Sequence, residues 1–162
     1  SSDVCSSDQY VERSDFSLFL QLISQLDSEQ RIYNLVWQTF SSNIRVLLDN
    51  QYIFQPFWDF HNGQISEAAW QEQFTQANQR ARQALASHDT DAILNIVFER
   101  LYTLRNQIVH GGATHSSQVN RSQLVDGCAI LSRVVPLVLM TMMQHHQRSD
   151  WGQPFYPVIN NK

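Results

Sequence analysis

Apolar residues in this chain recur at three- and four-residue steps from about residue 16 to residue 143, and they never hold the strict alternation of a half-buried strand. A period near 3.6 fits one stripe of an α-helix and neither face of a β-strand. That feature confines the fold to helices packed on helices. The steps are plain in Ile32, Leu35, Val36, Phe40, Ile44, Leu47 and Leu48, and again in Ile93, Val97, Leu101, Leu104 and Ile108.

Local signals divide the pattern. Residues 16–26 read as a short amphipathic helix, and Asp27 with Gln30 reads as a capping box before the next one. The segment "QYIFQPFWDFHNG" is broken by Pro56, and its aromatics suit a core better than a base-stacking platform. Ser66 caps a helix whose inner face is Trp70, Phe74, Ala77, Ala81 and Ala84. Asp89 or Thr90 opens the helix after it, and Gly111-Gly112 closes that helix at a C-cap needing positive φ. Asn120 with Gln123 forms a second capping box. The last long helix then carries Leu124, Cys128, Leu131, Val135, Val138 and Met142 inward, with a kink expected at Pro136. The expected fold is an all-α bundle of about five to six helices.

The 162 residues suffice for one domain with a real core, expected over 16–150, with an extended tail over 151–162. Residues 1–15 read as a leader. "SSDVCSSD" back-translates to a string resembling the end of a common sequencing adapter, so residues 1–8 are taken as non-native. A net charge of −4 argues against coating nucleic acid by bulk charge, although a local basic pocket remains open. All the cations but Lys162 are arginines, which suit bidentate phosphate contacts. Cys5 and Cys128 form no disulfide framework, and Cys128 is expected in the core. The apolar run 134–143 is about half a membrane span. With no secretory signal, a cytoplasmic protein without membrane attachment is expected. The histidines show no metal-ligand spacing, so neither metal nor cofactor is expected.

One stretch, "LYTLRNQIVHGG", carries the candidate chemistry. At about 100° per residue, Arg105 falls within the arc of Leu94, Val97, Phe98, Leu101, Leu104, Ile108 and Val109, while Glu99, Asn106 and His110 cluster on the polar side. A guanidinium on an apolar face needs a partner or an exit. It could snorkel, pair with Asp126, or line a groove between two copies of the chain. A histidine near a helix C-terminus is favoured by the helix dipole alone.

"RNQIVH" fits R-x4-H with a polar residue directly after the arginine, near the end of a helix in an all-α chain. In this it resembles the HEPN superfamily, and "RVLLDNQYIFQPFWDFHNG" and "DWGQPFYPV" are similar to its Apea-like branch. The resemblance covers roughly residues 30–158. It implies a metal-independent endoribonuclease, of the kind found in toxin–antitoxin and phage-defence systems, in which two copies pair to build a composite active site. RNA and a second copy of the chain are then the expected partners, with an antitoxin protein as a third. Carried over, Arg105 and His110 are catalytic and Asn106 supports them. Glu99 joins them from its place on the same stripe, and Arg100, His115 and Arg121 are candidates for RNA binding. The resemblance implies an aromatic in the loop after the glycines, where this chain has Thr114 and His115. The alternative is a non-catalytic HEPN domain that binds RNA, nucleotides or a partner protein.

Overall fold

The computed structural model describes residues 3–110, 121–148 and 151. They form an all-α bundle, with no strand among the described residues. In chain order the helices are α1 (Asp3–Leu26), α2 (Arg31–Asn34), α3 (Ser41–Asp49), α4 (Gln55–His61), α5 (Glu67–Ser87), α6 (Thr90–Val109) and α7 (Arg121–Gln144). A π-helical turn, Leu35–Thr39, joins α2 to α3, and a 3-10 turn, Gln51–Ile53, precedes α4. The first helix starts at Asp3, so the stretch read as a leader is largely helical and continuous with α1.

Ile32, Leu35, Val36, Phe40, Ile44, Leu47 and Leu48 are all buried, as their spacing requires. The steps from Val36 to Phe40 to Ile44 are four residues each. On a 3.6-residue helix each such step drifts by about 40°. The wider π turn, closed by the Phe40 amide donating to the Leu35 carbonyl at 3.0 Å, absorbs that drift and keeps the stripe facing the core.

Asp27 does more than a capping box would. Its carboxylate accepts from the amides of Arg31, Ile32 and Tyr33 at 2.9, 2.9 and 3.0 Å, gathering the free N–H groups of α2. Gln30 sits in the left-handed region at φ 54°, with no capping bond from its side chain. Asp27→Ala should therefore destabilise the fold by about 1–2 kcal/mol, measured by urea unfolding. Ser66 and Asp89 cap α5 and α6, accepting from the amides of Ala69 and Ala92 at 3.2 Å. Asn120 and Gly111-Gly112 lie outside the described residues; α6 ends at Val109 with His110 as its C-cap.

Helix α6 is the centre of the bundle, packed on α1, α3 and α5, while α7 packs on α1, α2 and α3. The two meet where Gly127 approaches Leu101. A Cβ at Gly127 would stand 2.6 Å from Leu101 Cδ2, so a larger residue there would force the leucine aside. The inner face of α5 is as expected, with Trp70, Ala81 and Ala84 buried and Phe74 and Ala77 half-buried. Trp151 donates to the His145 carbonyl at 2.7 Å and packs 6.3 Å from the Phe19 ring, tying the end of the bundle to α1.

Both late helices are rotated from the orientation their apolar residues suggest. In α7 the buried positions are Gly127, Ile130, Val134 and Thr141, whereas Leu124, Cys128 and Val135 are exposed. Cys128 is thus a surface thiol and not a core residue. By length and composition α7 could cross a bilayer; it packs on α1, α2 and α3, and 22% of its apolar window is buried.

Candidate functional site

On α6 the buried residues are Ile93, Leu94, Val97, Arg100, Leu101, Thr103, Leu104 and Gln107. At about 100° per residue they span half the helix circumference, and the arc is displaced from the sequence-based one toward Arg100 and Gln107. Arg105 falls just beyond Leu94, outside that arc, and is exposed. It is neither a core ion pair nor a partner of Asp126, whose Oδ1 accepts from Asn43 Nδ2 at 2.8 Å. The arginine faces outward because polar Thr103 and Gln107 and the long Arg100 side chain take the inner positions.

The outward face of α6 carries the remaining candidates. Arg105 Nη1 donates to Asn106 Oδ1 at 3.1 Å, so the neighbouring amide holds the guanidinium on the helix surface. His110 is exposed at the C-cap, with its backbone N–H donating to the Asn106 carbonyl at 2.9 Å. Asn106 thereby touches both motif residues, one through its side chain and one through its backbone. Glu99 is exposed on the same side, and its carbonyl accepts from Thr103 Oγ1. Arg105 and His110 are five positions apart, about 7.5 Å of helical rise and about 140° around the helix, so the two side chains flank Asn106 from either side. A guanidinium offers a phosphate a planar fork of N–H donors, and an imidazole offers a ring nitrogen that can donate or accept.

Apolar residues are exposed on the outward sides of both α6 and α7 among the described residues. Tyr102 and Val109 lie within about 60° of Arg105 around the helix, and they are 54% and 57% exposed. On α7, Val125 is 65% exposed, and Leu124, Val135, Leu139 and Met143 are also exposed. Scattered surface leucines are ordinary, whereas these α7 residues recur along one stripe of the helix.

Of the expected RNA-binding residues, Arg121 is exposed at the start of α7, and His115 lies outside the described residues. Arg100 must be corrected. It is 4% exposed, and its guanidinium carbon stands 4.3 Å from the Phe54 ring centroid and 5.8 Å from that of Phe74. Its Nη1 has no hydrogen-bond partner among the described residues. Burial pulls its pKa down to about 10, with Glu99 opposing. Nearby, the Gln107 side chain and Trp58 Nε1 both donate to the Tyr52 carbonyl, the latter at 2.8 Å. Ile93, Val97, Arg100, Leu104 and Gln107 follow alternating four- and three-residue steps, one of two stripes that the apolar residues of this helix allow.

Comparison with family models, curated proteins and solved structures finds no match for the chain. The site therefore rests on its own geometry. It consists of Arg105, Asn106 and His110 on the outward side of α6, with Glu99 exposed beside Asn106 and His110.

Proposed function

We propose that the chain is a metal-independent endoribonuclease, acting in the cytoplasm as a homodimer with an active site shared between two HEPN-like copies. The observation that carries this reading is the placement of Arg105 and His110. Both are exposed near the end of α6, Arg105 is held by Asn106, and Tyr102 and Val109 beside Arg105 are exposed among the described residues. A second copy seated on that face would bury Tyr102 and Val109 and bring two Arg–His sets into one cleft.

RNA supplies its own nucleophile. A neutral His110 imidazole takes the 2′-hydroxyl proton as the oxygen attacks phosphorus, and an imidazolium from the second copy protonates the leaving 5′-oxygen. Arg105 holds the phosphate oxygens and stabilises their charge in the transition state. The products are a 2′,3′-cyclic phosphate and a 5′-hydroxyl. In a toxin–antitoxin or phage-defence role such an enzyme needs restraint, which an antitoxin protein covering the same face would supply.

The test is incubation of a labelled structured RNA with the protein in excess EDTA. Cleavage with cyclic-phosphate ends, and no cleavage of DNA, is the expected result. RNA that binds but stays intact would replace the enzyme with a non-catalytic binding domain. The shared site makes a separate prediction. Val109→Glu and Val125→Glu alter residues exposed in the single chain, so each should keep the melting temperature, sediment as a monomer and lose cleavage. Retained dimer mass in both would move the interface elsewhere.

A further inference from the structure

Two irregularities of helical bonding, the π turn Leu35–Thr39 and Pro136 within α7, border the same groove. The groove is open and holds about 460 Å³, within the range of small-molecule sites. Arg31, Asn34 and Gln38 line one wall and Ser132, Arg133 and Pro136 the other, over Leu35 and Leu137. No carboxylate lines it, although the chain carries a net charge of −4. Each guanidinium offers five N–H donors in a planar fork, and the two amides add more. π turns forgo regular α-helical bonding and recur at functional sites.

The two arginines differ in their occupancy. Arg133 is exposed and has no ion pair or hydrogen bond from its side chain among the described residues. Arg31 Nη2 already holds an oxyanion, standing 2.5 Å from Glu29 Oε2, while its Nη1 lies 3.9 Å from Met140 Sδ. Glu29 borders the smaller adjoining cleft and not this groove. Its carboxylate occupies the donor edge that a ligand's oxyanion would take.

We infer that this groove binds a phosphate-bearing ligand, with Arg133 on the phosphate oxygens and Arg31 joining after exchanging Glu29 for the ligand. Asn34 and Gln38 serve the ligand's polar atoms, and Leu35 and Leu137 its apolar surface. The site is separate from the α6 motif and holds whether or not the chain cleaves RNA. The phosphate comes either from a small phosphorylated molecule or from an RNA backbone.

Calorimetric titration of the full chain with inorganic pyrophosphate, and separately with a short single-stranded RNA, tests this. Wild type should bind at least one probe. Arg133→Ala should weaken that binding about tenfold or more, and Glu29→Gln should tighten it several-fold by releasing Arg31. Pyrophosphate binding with this pattern identifies a small phosphorylated ligand, and RNA binding alone with the same pattern identifies a nucleic-acid backbone. Absence of binding by both probes overturns the inference, as does an affinity that Arg133→Ala leaves unchanged.

Discussion

Alanine at His110 should lower RNA cleavage by about 10²–10⁴-fold while leaving the melting temperature and sedimentation mass unchanged. The fold does not rely on the His110 ring, since the residue is exposed at a helix end and the capping bond comes from its backbone. Arg105→Ala should cost about 10²–10³-fold, and Arg105→Lys should not restore full activity, because an ammonium cannot grip two phosphate oxygens through a planar fork. The measurement is single-turnover cleavage of labelled RNA, read beside thermal melting of each variant. Variants that melt early would mark the pair as structural and remove it from the active site. Variants as active as wild type would move the chemistry to other residues. Arg105 gives a sharp contrast with Arg100, since one arginine is exposed and held by Asn106 and the other is sealed beneath two aromatic rings.

Arg100→Met should make the protein more stable, an unusual expectation for a buried residue. A guanidinium pKa pulled by burial down to about 10 corresponds to about 3 kcal/mol spent in keeping the charge buried. The Phe54 ring at 4.3 Å returns about 1–2 kcal/mol of this as a cation–π contact. Methionine keeps an unbranched apolar chain against Phe54 and Phe74 and carries no charge to desolvate. The expected gain is about 1–2 kcal/mol in urea unfolding, or a melting temperature higher by about 3–6 °C. Arg100→Ala should fall below Arg100→Met by about 2 kcal/mol, since it leaves a void beside the rings. Both variants should still cleave RNA. A loss of stability in Arg100→Met would mean that the buried charge has a partner worth more than its desolvation.

Much of the bundle was legible because burial follows periodicity where a helix is covered by its own chain. The seven apolar residues from Ile32 to Leu48 are all core. Ser66 and Asp89 cap the helices they precede, because a side-chain oxygen there meets free amides at a fixed offset. Asp27 was picked out for the wrong geometry. Its carboxylate reaches forward to three amides because Gln30 turns the chain through a left-handed residue, which no spacing rule encodes.

The candidate site was harder to read than the fold. The apolar residues of α6 fill most of its circumference, so the pattern alone does not say which side faces the core. A centre of hydrophobicity drawn through Ile108 and Val109 rotated the expected interior toward Arg105 and away from Arg100. The same error placed Cys128 inside, since α7 also has apolar residues on two faces. In both helices the excess lies on the outward side, where it is exposed among the described residues.

The sequence by itself determined that this chain is helical, where α5 and α6 start, and which residues from Ile32 to Leu48 form the core. These properties depend on neighbours within a turn or two, and the 3.6-residue period and the capping offsets act at that range. Only the tertiary structure decided that Arg100 is buried and Arg105 exposed, that α7 shows an apolar stripe to its surroundings, and that a π turn and a proline share a groove. Those outcomes depend on how α6 and α7 rotate against α1, α3 and α5. Rotation is set by packing that closes over the whole bundle, and a buried arginine is tolerated once two phenyl rings are there to receive it.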